Sequence, residues 1–205
     1  MIMKKLVVML IAALYCTCGF AEKKVSEYSL AYTRNIGETS FDIEATEPKN
    51  GKFTFYIYCW SMDSEKKVGF SIESKKLPEF FTALRAVGEK LEEWTKTAKD
   101  NNVTDYDKQF DVKFASNSAF FKYGKDWHFC GFRFSPYFKV TKEGECLAVF
   151  KSNKLTANDN RFMHHDGFAI PFSNKEEIED FIKALDPAPI LNSEGTNAAK
   201  DELFK

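Results

Sequence analysis

Two stretches of the chain carry the same figure of apolar and polar positions. Residues 166–185, DGFAIPFSNKEEIEDFIKAL, begin as a short apolar strand and continue as a helix in which Ile178, Phe181, Ile182 and Leu185 fall at i, i+3, i+4 and i+7. That spacing lines one face of an α-helix. Residues 68–84, VGFSIESKKLPEFFTAL, carry it 101 positions earlier with Leu77, Phe80, Phe81 and Leu84. The strands recur too: Gly69, Phe70 and Ile72 return as Gly167, Phe168 and Ile170, 98 positions on. The mismatch between the two offsets is a short insertion between strand and helix. The pattern predicts a duplicated unit that ends in strand then helix.

Between these anchors the chain alternates with the two-residue period of strands. Tyr28, Leu30 and Tyr32 alternate with Ser29 and Ala31, and Phe41, Ile43 and Ala45 alternate with Asp42, Glu44 and Thr46. Pro48, Lys49, Asn50 and Gly51 form a turn, since Asn-Gly supplies the positive φ of a tight hairpin. Residues 53–60 read as the longest strand of the first half, with Phe53, Phe55, Ile57 and Cys59 on one face and Thr54, Tyr56, Tyr58 and Trp60 on the other. A helix over about 77–99 follows the first copy of the strand, with Pro78 in its first turn, where a missing N–H leaves nothing unpaired.

The second half repeats the plan with more aromatics. Phe110, Val112 and Phe114 alternate, residues 127–134 form a further strand, and Phe138 and Val140 resume after Pro136. Residues 146–150 are continuously apolar, so that strand is expected to be covered on both faces. Ser173 with Glu176 predicts a capping box for the last helix, which Pro187 and Pro189 end. The expected class is α+β: two β-β-β-β-α repeats, with antiparallel sheets each followed by an amphipathic helix. The expected divisions are a signal segment 1–21, a first repeat 22–100, a second repeat 101–188 and a loose tail 189–205.

Lys4 and Lys5 precede an apolar run, and small residues end at Ala21, the three parts of a secretory signal peptide. The run is too short to span a membrane, which takes roughly 20 apolar residues. The expectation is export to the periplasm or the exterior as a soluble chain. A lipid anchor at Cys16 or Cys18 is the competing expectation, disfavoured by the bulky Tyr15 beside them. Loss of 1–21 leaves 184 residues and takes 29 basic residues to 27 against 30 acidic, a net charge of −3. A chain without basic excess lacks the electrostatic footprint of general nucleic-acid binding. With 21 phenylalanines the core should be rich in aromatic rings. Cys59, Cys130 and Cys146 remain, either as one disulfide with one thiol left over or as three buried reduced thiols, and spacing does not choose a pairing.

Strands in fours followed by a helix, run twice, resemble the plan of the Whirly and PUR proteins, and GFAIPFSNKEEIEDFIKAL is similar to the closing strand and helix of a PUR repeat. The resemblance covers about residues 27–185 as topology and the two repeated segments as sequence. It implies binding of single-stranded nucleic acid on open strand faces through aromatic and basic residues.

Three sets of residues are candidates for function. Tyr56, Tyr58 and Trp60 form an aromatic strand face, suited to a ligand or a protein partner because such side chains bury area while keeping a polar tip wet, and suited equally to an internal interface. His128, His164 and His165 are candidate metal ligands if the fold brings them together, although neighbouring histidines on a strand point to opposite faces. Cys130 with His128 offers proximity for a thiol nucleophile but no orienting third group. No GxSxG, HExxH, P-loop or GxGxxG pattern occurs. The expectation is a non-enzymatic binding or interaction module with no cofactor. A metal-dependent hydrolase at the His164 and His165 loop, and single-strand nucleic-acid binding, are the alternatives.

Overall fold

The structure, a computed structural model, describes residues 22–34, 37, 40–63 and 67–192. The expected signal segment, with Cys16 and Cys18, and the tail beyond residue 192 lie outside the described residues. Strand β1 (Lys23–Tyr28) leads through one helical turn, α1 (Ala31–Arg34), to β2 (Phe41–Ala45), β3 (Thr54–Tyr58), β4 (Trp60–Ser61) and β5 (Val68–Glu73). A 3-10 turn (Ser74–Lys76) opens the long helix α2 (Leu77–Asp100). The second half holds β6 (Tyr106–Gln109), β7 (Asn117–Tyr123), β8 (Asp126–Phe132), β9 (Tyr137–Val140), β10 (Cys146–Lys151), β11 (Leu155–Thr156), β12 (His164–His165), β13 (Phe168–Phe172) and helix α3 (Lys175–Ala184).

The class is α+β with antiparallel sheets, as the pattern predicts. The first sheet has six strands in the order β1-β2-β3-β5-β7-β8, the second has five in the order β4-β13-β10-β9-β6, and β11 with β12 makes a small ribbon. There are more strands than two sets of four, and three of them cross between halves. The β7–β8 hairpin of the second half extends the first sheet, and β4 of the first half edges the second.

Several local expectations are corrected. Residues 53–60 are not one strand: Cys59 N–H still donates to the Val68 carbonyl, but Trp60 already pairs with Ala169 of β13, so the chain changes sheets at Cys59. The alternation of Leu30 and Tyr32 becomes a helical turn, because the Leu30 carbonyl accepts from both Arg34 N–H and the Thr33 hydroxyl. Residues 110–116 carry no ladder, and burial of Phe110 and Phe114 holds them instead. The last helix is capped by Asn174, whose side chain accepts the Glu177 N–H at 2.9 Å. Glu177, not Glu176, completes the cap, its carboxylate accepting from Ser173 N–H and, across the fold, from Ala31 N–H, each at 2.7 Å.

One phenylalanine core joins the two sheets. Phe70 of β5 and Phe168 of β13 stack with centroids 5.9 Å apart and planes 14° from parallel. Phe134 sets its edge against both, at 5.0 and 6.0 Å. From α2, Phe80 reaches Phe70 and Phe114, and from α3, Phe181 reaches Tyr28 and Phe172. Helix α2 packs on β9, β10 and α3, whereas α3 packs on β1, β13 and α2. The face predicted from spacing is the buried one, with Leu77, Phe80 and Leu84 in α2 and Ile178, Phe181 and Ile182 in α3 all in the core. Strand β10 is buried along 146–150, as its unbroken apolar run predicts.

A fully buried ring at the junction of two sheets leaves a cavity when truncated, because both sheets are anchored by their own ladders. Phe168→Ala should therefore lower unfolding free energy by about 3–5 kcal/mol in a urea titration. A loss below about 1 kcal/mol, the scale of a surface change, would contradict that role.

Candidate functional site

Strand alternation that turns Phe70, Ile57 and Ala119 into the core turns their neighbours outward, and these compose the outer face of the first sheet. The ladder register fixes the rows. Glu44, Tyr56, Ser71, Ser118 and Gly131 run side by side across five strands. Next to them run Tyr58, Gly69, Phe120 and Phe129, and beyond those Lys122 and Trp127. The face is therefore a strip of small polar residues beside a band of aromatic rings.

Phe120 is the centre of the band. It is 2% exposed, although it points away from the core, because Tyr56, Tyr58, Trp127 and Phe129 surround it with centroids 5.3–6.5 Å away. Its ring lies over Gly69, where an added Cβ would sit 2.6 Å from Phe120 Cζ and 2.1 Å from the Ile57 carbonyl oxygen. No side chain fits there, so glycine is what seats the ring. Trp127 and Phe129 remain 39% and 45% exposed.

Charge is divided across this face. On the β1–β2 side Glu44 accepts a hydrogen bond from the Tyr58 hydroxyl at 3.1 Å. Glu22 lies against it, and partial burial, followed by the Glu44 charge, holds the Glu22 carboxyl above the ordinary carboxylate range. Burial and the same acidic neighbours raise the Tyr58 phenol well above its usual value. Lys24 is engaged elsewhere, 2.7 Å from both Asp42 and Glu27. On the other side Lys67 lies over the Tyr58 ring at 5.7 Å and Lys122 over Trp127 at 5.8 Å.

The structure divides the aromatic trio expected from sequence. Tyr56 and Tyr58 belong to the band, but Trp60 lies on the outer face of the second sheet, 6.3 Å from Tyr32 and beside Leu147, Val149 and Ala169. Phe120, Trp127 and Phe129 take its place. The two exposed rings have a sequence signal, since Trp127 and Phe129 alternate with the buried His128 and Cys130. Phe120 has none, because Ala119 and Phe121 on either side of it are also apolar.

The histidines do not converge. His164 is exposed and His165 buried, on opposite faces of the β12 ribbon as adjacent strand residues must be. His165 Nδ1 accepts the Gly167 N–H at 2.9 Å, and its Nε2 is 3.2 Å from the Ser61 hydroxyl. His128 Nδ1 faces Asp159 at 3.2 Å, and the rings of His128 and His165 lie on Phe121 at 5.6 and 5.7 Å. Among the described residues no group of three or more His, Cys, Asp or Glu side chains could hold a metal ion. Two surface grooves, of about 350 Å³ beside β8 and about 390 Å³ between α1 and α2, are lined by no histidine. Cys59, Cys130 and Cys146 are buried free thiols. Burial raises the Cys59 and Cys130 thiols above their usual range, which disfavours the thiolate a nucleophile needs.

A carboxyl whose folded value lies above its unfolded one costs stability once pH exceeds the unfolded value, and costs nothing where both states are protonated. Glu22→Gln should melt like wild type below about pH 3. It should gain a few tenths of a kcal/mol as pH rises through the carboxylate range, a small gain because the site is solvent-screened. A gain that is largest at low pH would contradict the pairing. Comparison with protein-family models, with curated proteins and with solved structures found no match to this chain.

Proposed function

We propose that the protein is an exported, non-enzymatic binding module whose ligand lies on the outer face of the first sheet. The carrying observation is the Phe120 band: five aromatic rings on a rigid sheet, with Trp127 and Phe129 left 39% and 45% exposed. An apolar patch of that kind is a solubility liability unless something covers it. Ring clusters on rigid strands bury large area at small entropic cost, which is how binding surfaces use them. The export reading rests on Lys4, Lys5 and the apolar run that follows them, and places the ligand in the periplasm or outside the cell.

The fold reading that goes with this proposal is two β-β-β-β-α units. Strands β1, β2, β3 and β5 form a meander that leads into α2, and β6, β9, β10 and β13 form another that leads into α3, with the β7–β8 hairpin inserted after β6. Phe70 and Phe168, which occupy matching places in the two copies, stack on one another, as equivalent residues do across a pseudo-twofold axis. Each helix also reaches the sheet of the other half, α2 at β9 and β10 and α3 at β1. These features support the likeness to the Whirly and PUR plan. That likeness implies a nucleic-acid ligand, but Glu22, Glu27, Asp42 and Glu44 edge this face with negative charge, which repels a polyanion.

Arrays of peptides and oligosaccharides probed with wild type, the Trp127→Ala/Phe129→Ala double variant and Trp60→Ala test the assignment. The double variant should lose at least roughly tenfold in affinity for the wild-type ligand, with its urea midpoint little changed. Trp60→Ala should bind as wild type. Equal binding by the double variant would contradict the proposal.

A further inference from the structure

We infer that Asn102 is an acceptor for N-linked glycosylation, its carboxamide taking an oligosaccharide from a lipid diphosphate-linked donor as the chain is exported. The inference rests on the export reading proposed above and is separate from the ligand of the outer face. Residues 100–104 read Asp-Asn-Asn-Val-Thr, and of all the asparagines in the chain Asn102 alone has serine or threonine two places on with no proline between. That tripeptide is the acceptor signal of exported glycoproteins, used where it stands on a surface loop. So short a signal also arises by chance, and the local structure decides whether it can be used.

Helix α2 ends here, and the two asparagines that follow it divide the work. Asn101 stops the helix: its N–H and its side-chain amide both donate to the Thr97 carbonyl, at 3.2 and 2.8 Å. Asn102 takes the left-handed conformation, φ 52°, which asparagine tolerates better than most side chains. Its N–H donates to the Lys99 carbonyl at 3.2 Å and the Val103 N–H to the Ala98 carbonyl at 2.9 Å, so the backbone of the turn is fixed. Val103 packs against the core and anchors the turn, while Asp100, Asn102 and Thr104 are exposed. Among the described residues none of those three side chains forms a hydrogen bond or an ion pair. The Asn102 carboxamide and the Thr104 hydroxyl, the two groups that make the signal, are therefore free, and a glycan would displace no contact. The Asp105 N–H donates to the Thr141 carbonyl at 3.1 Å, which ties the segment to the second sheet, whereas Trp127 and Phe129 belong to the first. Strand β6, an edge of that second sheet with all four residues exposed, begins four residues after Asn102. Bulk placed there hinders a further strand from pairing with the edge.

In the transfer, Asn102 Nδ2 bonds to the anomeric carbon of the sugar. The bond from that carbon to the diphosphate oxygen breaks, the lipid diphosphate leaves with the electron pair, and the amide proton passes to a base of the transferase. Intact-mass spectrometry of the full chain, recovered from outside the cytoplasm of the cell that encodes it, tests this, with glycopeptide fragmentation to place the sugar. Wild type should carry one oligosaccharide, on Asn102, above the mass of residues 22–205. Asn102→Asp keeps the size and the tolerance of positive φ without an amide nitrogen, and should lose the added mass completely. Thr104→Ala should lose it as well, and Thr104→Ser should keep it. Circular dichroism melts establish that each variant is folded. Recovery of wild type outside the cytoplasm without added mass, or with the sugar on another residue, overturns the inference and leaves the export reading standing. Retention of wild type in the cytoplasm with residues 1–21 attached overturns both.

Discussion

The stack of Phe70 on Phe168 is the constraint on which the rest depends. Two antiparallel sheets have to present apolar faces to one another, and β5 of the first and β13 of the second each contribute a ring to the contact. Alternation then leaves no freedom at the next position. With Phe70 inward, Gly69 points outward, and its missing side chain leaves a hollow that the Phe120 ring fills from the neighbouring strand. Core and outer face are thus two consequences of one register. A slip of one residue in β5 would exchange them.

Two buried histidines tie elements of the fold together. His165 ties the β12 ribbon to Ser61 and to its own backbone at Gly167, next to the point where the chain passes from one sheet to the other. His128 is held by Asp159 from the loop that flanks β8. Each ring is used by a neighbour, and burial in an aromatic setting suits imidazole because its body is apolar. The three thiols, Cys59 between β3 and β4, Cys130 on β8 and Cys146 on β10, sit apart as small apolar fillers, which is what buried reduced cysteine does best.

How much of this is legible in the sequence follows from how each element earns its stability. Both amphipathic helices are plain in the spacing of Leu77, Phe80 and Leu84 and of Ile178, Phe181 and Leu185, because a helix laid on a sheet buries one stripe and the stripe has a fixed period. The turn at Asn50 and Gly51 is equally plain, since both residues adopt positive φ. The exchange of sheets at Cys59 is not, because Tyr58 and Trp60 keep the same parity while their ladders belong to different sheets. Strand β7 is hidden for another reason: Phe120 is apolar on the solvent side, so Ala119, Phe120 and Phe121 form a run with no alternation. The least legible residue of the candidate site is thus its centre. Long-range pairing put Phe120 over Gly69, and no local pattern records it.

Hydroxyl-radical footprinting of the purified protein, alone and saturated with a ligand, tests the central claim most directly, because it reports which rings meet water. An open outer face that closes on binding predicts heavy modification of Trp127 and Phe129 in the free protein, little at Phe120, and protection of the exposed pair when ligand is present. Protection of Trp127 and Phe129 in the free monomer, or modification that ligand leaves unchanged, would contradict it.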